Sequence, residues 1–272
     1  MLTDPFIGTW LDTLRLRFRE RPAAHELHLL IDGAFVPGLH RHLAASSKAL
    51  LFYGLPGSGP HTLDVSPFVL RFDPASREVE AVLRKCLAWP MVNVIETPEA
   101  WQGLAARLAA WCVIEADGQR FNFRFADTRR LPAILKTLDQ TQRRQFSGPA
   151  VSWSYIARDG DWRTRALDGS GQAVASAPRL DDAQFGALVE DSRVDEILTR
   201  VAPGPDRDTF LPSKAHALIA SALASASKAS LSDSALVDWC EWLWARRAKD
   251  DIGNMAELLE MWKTRALSDG GR

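Results

Sequence analysis

Over roughly the first 168 residues, the apolar positions of this chain alternate between a spacing of two and a spacing of three to four. Beyond that point only helical spacing remains. Phe6, Trp10, Leu14 and Phe18 fall on one stripe, with several arginines opposite, so residues 4–20 suit an amphipathic helix. His28-Leu29-Leu30-Ile31 predicts a short buried strand ending at Asp32-Gly33, and Leu39 to Ala45 a helical turn or two. Ala49 to Tyr53 predicts a second strand, closed by Gly54-Leu55-Pro56-Gly57-Ser58-Gly59-Pro60, and Val65 to Phe72 a third that ends at Asp73-Pro74.

Val79, Val82, Leu83, Cys86 and Leu87 return to helical spacing, Met91 to Ile95 to β character, and Trp101, Leu104, Leu108 and Trp111 line one side of a further helix. Asp117-Gly118 between two strand-like runs is a two-residue hairpin signal, and Asp159-Gly160 repeats it between Trp153-Tyr155 and Trp162-Arg165. Phe121, Phe123 and Phe125 alternate with Arg120, Asn122 and Arg124, which predicts a strand with its aromatics on one face. Asp127 or Thr128 then stands where a helix N-cap belongs, ahead of Leu131, Ile134, Leu135 and Leu138.

Leu167 to Pro178 is rich in Gly, Ser and Ala and reads as a linker or loop. Residues 181–200, 213–228, 232–248 and 251–266 follow as helices, interrupted by Pro203-Gly204-Pro205. The expected fold class is therefore α+β. A mixed lobe with a central sheet and flanking helices spans residues 1–170, and a small all-helical lobe spans 171–272.

Composition narrows the function classes. The formal net charge of −1 gives no global attraction to nucleic acid or anionic membrane. Cys86, Cys112 and Cys240 are odd in number, distant and set among apolar neighbours, which suits buried thiols in a reducing compartment rather than a disulfide framework. The absence of a basic segment leading into an apolar one at the N-terminus, and of any long uninterrupted apolar run, predicts a soluble, unexported, cytoplasmic protein with no membrane insertion.

Motifs with chemistry are weak. Gly54 and Gly59 have the spacing of a phosphate loop, but Pro60 and His61 occupy the positions of its Lys and Ser/Thr. Ser58, His61 and Asp64 suggest a serine-type hydrolase as an alternative reading, although triad members must meet in space and the nucleophile-elbow glycines are missing. His25/His28 and His40/His42 lack partners that would complete a metal set, so no metal or cofactor is expected. Arg120, Phe121, Phe123 and Arg124 offer a second alternative, single-stranded nucleic-acid binding, set against the commoner role of such phenylalanines as core. In the helical lobe Leu236, Trp239, Cys240 and Leu243 form a core stripe that displaces Trp242 toward Arg246, a pair of residue types enriched at protein interfaces. Trp242, Arg246, Arg129 and Arg130 are the candidate partner-binding residues.

The order of segments resembles a known family. His28-Leu29-Leu30-Ile31-Asp32-Gly33-Ala34, Leu50-Leu51-Phe52-Tyr53-Gly54, Ser66-Pro67-Phe68-Val69-Leu70, Phe123-Arg124-Phe125-Ala126-Asp127-Thr128-Arg129 and Phe146-Ser147-Gly148-Pro149 with Trp153 are similar, in order, to the bacterial type VI secretion effector chaperones or adaptors that carry domain of unknown function 4123. Ala126 and Thr128 stand where that family has an aromatic residue and Pro, and Ser66 where it has Gly. The resemblance implies a cytoplasmic adaptor and not an enzyme: a protein that binds a cognate toxic effector and promotes its loading onto the VgrG or PAAR spike. It carries over no catalytic residue, and it marks Asp32, Gly33, Pro67, Arg124, Asp127 and Arg129 as signature positions of a structural kind.

Overall fold

A computed structural model describes residues 2–171, 178–202, 210–246 and 254–269. The chain divides into two compact units, Met1–Val189 and Glu190–Arg272. Along the first unit run α1 (Trp10–Glu20), β1 (Glu26–Ile31), tight 3-10 turns at Leu39–His42 and Ala45–Ser47, β2 (Lys48–Leu50), α2 (Pro60–Asp64), β3 (Phe68–Arg71) and α3 (Arg77–Lys85). They are followed by β4 (Val92–Thr97), α4 (Trp101–Ala110), β5 (Val113–Ala116), β6 (Gln119–Asn122), α5 (Leu131–Thr137), α6 (Gln140–Ser147), β7 (Ser152–Ile156) and β8 (Trp162–Ala166).

A six-stranded sheet in the order β2-β3-β1-β4-β7-β8 is antiparallel throughout. Central strand β1 pairs Ile31 with Phe68 on one side and with Val92 on the other. Both faces of this sheet are covered, and for that reason β1 is buried without a break from Leu27 to Ile31 and apolar there except for His28, rather than alternating. Leu27, Leu29 and Ile31 pack with Val92 and Val94 against Leu14 of α1 and Val82 and Leu83 of α3. Leu30, Ile95, Trp153 and Tyr155 pack on the other face against Leu104 and Leu108 of α4, Leu131 and Ile134 of α5, and Phe146 of α6. Two polar side chains enter that second face with partners of their own: Asn93 donates to the carbonyls of Leu30 and Ala126 and accepts from Trp153 Nε1, while His28 Nε2 lies 2.8 Å from the carbonyl of Glu99 and His28 Nδ1 is buried with no hydrogen-bond partner among the described residues.

β5 and β6 form a separate hairpin whose Asp117 and Gly118 both have positive φ, the geometry a two-residue turn requires. The Asp159-Gly160 turn is wider than the sequence suggests. Only Gly160 of that pair has positive φ, and the loop closes through Ala157 N–H donating to the Asp161 carbonyl. Helix α1 begins at Trp10 rather than near residue 4, because Asp4 and Ile7 donate their N–H groups to Arg158 and Gly160 instead of to a helical turn. β2 is confined to Lys48–Leu50; Leu51 to Tyr53 turn away from it, with Leu51 buried.

The first compact unit runs past residue 170. Arg179 bridges to Glu115 of β5, Leu180 is buried in the core beside α4 to α6, and Phe185 and Leu188 pack onto it. The unit boundary falls inside α7 (Asp182–Val201). Half of the sequence-predicted linker Leu167 to Pro178, residues 172–177, lies outside the described residues, as does Pro203-Gly204-Pro205.

The second unit comprises the end of α7 with α8 (Pro212–Lys228), α9 (Asp233–Arg246) and α10 (Met255–Asp269). Its core joins Ile197 and Leu198 to Leu218, Ile219 and Ala222, and to Trp239, Cys240, Leu243 and Trp262. Trp239 Nε1 donates to the Ala222 carbonyl, so the indole is both packed and satisfied. The ends of the two sequence-predicted helices at 247–248 and 251–253 lie outside the described residues.

Candidate functional site

The sequence segments carrying signature residues converge beside the end of β1. After Ile31 the chain leaves the sheet at Asp32, whose carboxylate accepts the Ala34 N–H and a bond from Arg124 Nη2 at 2.9 Å. Gly33 is a glycine because the Ser66-Pro67 backbone crosses it: a Cβ there would collide with the Ser66 carbonyl oxygen. Ser66 Oγ in turn accepts the Phe52 N–H and donates to the Pro67 carbonyl, while Leu51 N–H donates to that same carbonyl. Asp32-Gly33, the Leu51-Phe52 turn and Ser66-Pro67 are thus one interlocked corner.

Arg124 and Asp127 come from the other side of that corner. β6 ends at Asn122, so the expected strand over 120–125 holds only for its first half. Burial still alternates through the irregular stretch that follows: Phe123 is 5% exposed and Phe125 1%, while Arg124 points outward. Phe121 is half-buried with its ring 4.5 Å from that of Phe185. Phe123 and Phe125 both pack on Phe146 in the core, so their rings do not form the open stacking platform that the nucleic-acid alternative assigns to them.

Neither Asp127 nor Thr128, the two residues the sequence places at the cap of the next helix, caps it. Asp127 closes the preceding turn instead, because α5 starts only at Leu131, with Arg130 at the cap position and no side-chain cap bond. The Asp127 carboxylate accepts the Arg129 N–H, and it pairs with the Arg129 guanidinium at 3.0 and 2.7 Å. Its carbonyl accepts the N–H groups of Arg130 and Leu131. Thr128 N–H donates to the Pro90 carbonyl and Asn93 holds the Ala126 carbonyl, which fastens this turn to the start of β4.

The electrostatics are layered. Asp32 and Asp127 have side chains 3% and 1% exposed, whereas Arg124 is 42% exposed. Burial pushes the Asp32 carboxyl above the usual carboxylate range, and the Arg124 charge opposes that shift. Burial likewise pushes the nearby Cys112 thiol up to about 12, with the Asp32 charge adding to the effect. On the outer side Phe35, just after β1, has its ring under both guanidiniums, 5.3 Å from Arg124 and 5.5 Å from Arg129, and stacks on Trp89 at 5.9 Å and 27°. Phe35 and Trp89 belong to no periodic stripe of the sequence, so only the fold brings them together.

The quoted Phe146-Ser147-Gly148-Pro149 segment has a different partner. Gly148 takes φ +58, and a Cβ on it would occupy the place of the Arg107 guanidinium, which donates to the Phe146 carbonyl and pairs with Glu99 at 2.5 Å.

The hydrolase residues are not assembled. Ser58 Oγ lies 2.5 Å from the carbonyls of both Phe52 and Leu55, Asp64 pairs with Arg41 at 2.6 Å and lies 3.5 Å from His40 Nε2, and His61 is exposed on α2. Among the described residues no group of three or more His, Cys, Asp or Glu is arranged to hold a metal ion. Nor is any described helix long and apolar enough to cross a membrane. In the second unit Trp242 stacks on Trp239 at 5.6 Å, and the Arg246 guanidinium sits 4.1 Å from the Trp242 ring centroid. The pairing of Trp242 with Arg246 is as the helical spacing predicts, and Trp242 is half-buried.

Residues 27–145, from the second residue of β1 into α6, match the family model described as a domain of unknown function (DUF4123). No curated protein and no solved structure matches the chain.

Proposed function

We propose that this protein is a cytoplasmic adaptor of type VI secretion, which binds a cognate toxic effector and promotes its loading onto the VgrG or PAAR spike. It works by binding and not by chemistry. The observation that supports this reading is the family match over residues 27–145, within which the signature segments at Asp32-Gly33, Ser66-Pro67 and Arg124 to Arg129 meet in one corner. In such a protein the signature builds a rigid platform, and the partner is recognised by apolar anchors ringed with polar groups. The C-terminal unit, with Trp242 and Arg246 on one helix, offers a second surface of interface-like composition.

The reading is tested by co-expressing the tagged protein with toxins encoded beside its gene. A stable complex, and loss of the toxin's solubility or delivery in a deletion strain, is the expected result. If neither partner capture nor any effect on a toxin is found, the reading is wrong.

A further inference from the structure

We propose that the surface formed by Phe35, Trp89 and Arg124, backed by the largely buried Arg129, docks a carboxylate-bearing, apolar-flanked segment of a protein partner. The inference rests on the adaptor reading only in taking the partner to be a protein.

The first observation is the layering of charge. Two carboxylates and two guanidiniums meet here, but Asp32 and Asp127 are sealed beneath while Arg124 keeps 42% of its side chain exposed. Both carboxylate contacts of Arg124 are made by Nη2. Among the described residues its Nε and Nη1 donate to nothing, so an incoming carboxylate finds N–H donors on a guanidinium already held in orientation.

The second observation is the apolar element beside that charge. Phe35 and Trp89 are half-buried and stacked, and Phe35 lies beneath both arginines. Ala88, the residue that turns the chain into Trp89, holds φ +64, a left-handed conformation that an alanine adopts only at a cost. The same turn leaves Leu87 42% exposed. Aromatic and arginine side chains packed together are the usual composition of interface hot spots.

The chemistry selects the occupant. A nucleic-acid backbone is bound along a track of cations, with bases on open aromatic faces. Here one guanidinium edge is open, the aromatics already stack on each other, and the chain's formal net charge of −1 supplies no long-range pull on a polyanion. A single Asp or Glu side chain with an apolar neighbour fits this surface.

The test is fluorescence anisotropy on the full-length protein with three labelled probes: a peptide carrying Glu-Leu pairs in a Gly-Ser background, its Gln-for-Glu counterpart, and single-stranded oligo-dT. The Glu peptide is expected to bind roughly tenfold tighter than the Gln peptide, to weaken with salt, and to lose a similar factor in Arg124→Gln and Phe35→Leu. Those variants touch a structural corner, so a third leaves it intact. Ala34 is exposed beside Phe35, and the native thiols Cys86, Cys112 and Cys240 are buried, so Ala34→Cys can be blocked selectively with maleimide-polyethylene glycol. Blocking is expected to abolish binding of the Glu peptide.

Equal binding of the two peptides, preference for oligo-dT, no binding of the Glu peptide, or undiminished binding to the blocked protein each overturns the inference. The same blocked protein separates this claim from the adaptor reading. If a neighbouring toxin co-purifies with it as well as with wild type, the surface assignment falls and the adaptor reading stands. If no toxin co-purifies with wild type while the peptides behave as stated, the adaptor reading falls and the surface stands.

Discussion

Arg124 Nη2 and Asp32 Oδ2 lie 2.9 Å apart although the two residues are 92 positions apart in the chain. That bond ties the exit of the central strand β1 to the irregular stretch after β6. Asp127 stands 3.8 Å from the same nitrogen, so the guanidinium serves two nearly buried carboxylates. Removing a partner of a buried charge costs more than the pair contributes, because the remaining charge keeps its desolvation penalty.

Arg124→Ala is therefore expected to destabilise the first unit by about 1–3 kcal/mol, less than the 3–5 of a fully buried pair because Arg124 is 42% exposed. Asp32→Asn should lose less, and the double variant should cost less than the two singles added. Chemical denaturation of the four proteins closes this cycle. Strict additivity would show that the two side chains are not coupled.

Two glycines predict opposite signs. Gly33→Ala places a methyl group against the Ser66 carbonyl oxygen, which is backbone and cannot swing aside. An overpacking cost of about 1–3 kcal/mol is expected. Gly186, in α7, has nothing within 4 Å of a built Cβ. Gly186→Ala should raise stability by about 0.5–1 kcal/mol through helix propensity alone. Thermal melts of both variants check the pair.

The difference between these glycines marks what the sequence could and could not disclose. Periodicity locates β1, β4, α3, α4 and the four C-terminal helices, because each buries a face whose spacing is local. It overextends the strand at 120–125, since Phe123 and Phe125 keep alternating burial after the ladder has ended at Asn122. It places Asp127 or Thr128 at a helix cap for the same reason: the acid, the basic pair and the following apolar stripe are right, but the Asp127 carboxylate closes a turn three residues earlier than α5 needs. The contacts Arg124–Asp32, Gly33–Ser66 and Phe35–Trp89 join distant segments, and no local spacing encodes them. Only the resemblance brought Asp32, Gly33 and Arg124 into view together, without their geometry.

In the helical unit, Trp239 and Trp242 stack but differ in their polar atoms. Trp239 Nε1 donates to Ala222, whereas Trp242 Nε1 is buried with no hydrogen-bond partner. Trp239→Ala should cost about 3–5 kcal/mol as a large core truncation. Trp242→Phe removes a donor whose burial is uncompensated and keeps a ring under Arg246, so its stability should stay within about 1 kcal/mol of wild type. Urea denaturation followed by far-UV circular dichroism measures both.

Cys86, Cys112 and Cys240 are all buried, and desolvation pushes each thiol up, to about 12 for Cys112 and Cys240. The thiolate is the reactive form, so native protein should be silent toward Ellman's reagent near neutral pH. Denaturation should release all three thiols together with loss of structure. A rapid native reaction would mean that one of these sites opens on its own.

His28 supplies a pH dependence whose sign follows from its burial. The ring is fully buried, and desolvation lowers its pKa below the ordinary histidine value of 6.5, outweighing the bond to the Glu99 carbonyl and the nearby Glu26. The folded state thus holds His28 neutral while the unfolded chain takes up a proton near 6.5. The resulting stabilisation is complete above that value and declines as pH falls below it, toward the lower folded pKa. His40 is lowered too, mainly by desolvation and then by Lys48, and it acts in the same direction. Melting temperature should therefore drop between pH 7.5 and 5.5, and the drop should shrink in His28→Gln, which cannot take up the proton. An unchanged pH profile in that variant would assign the acid sensitivity to other groups.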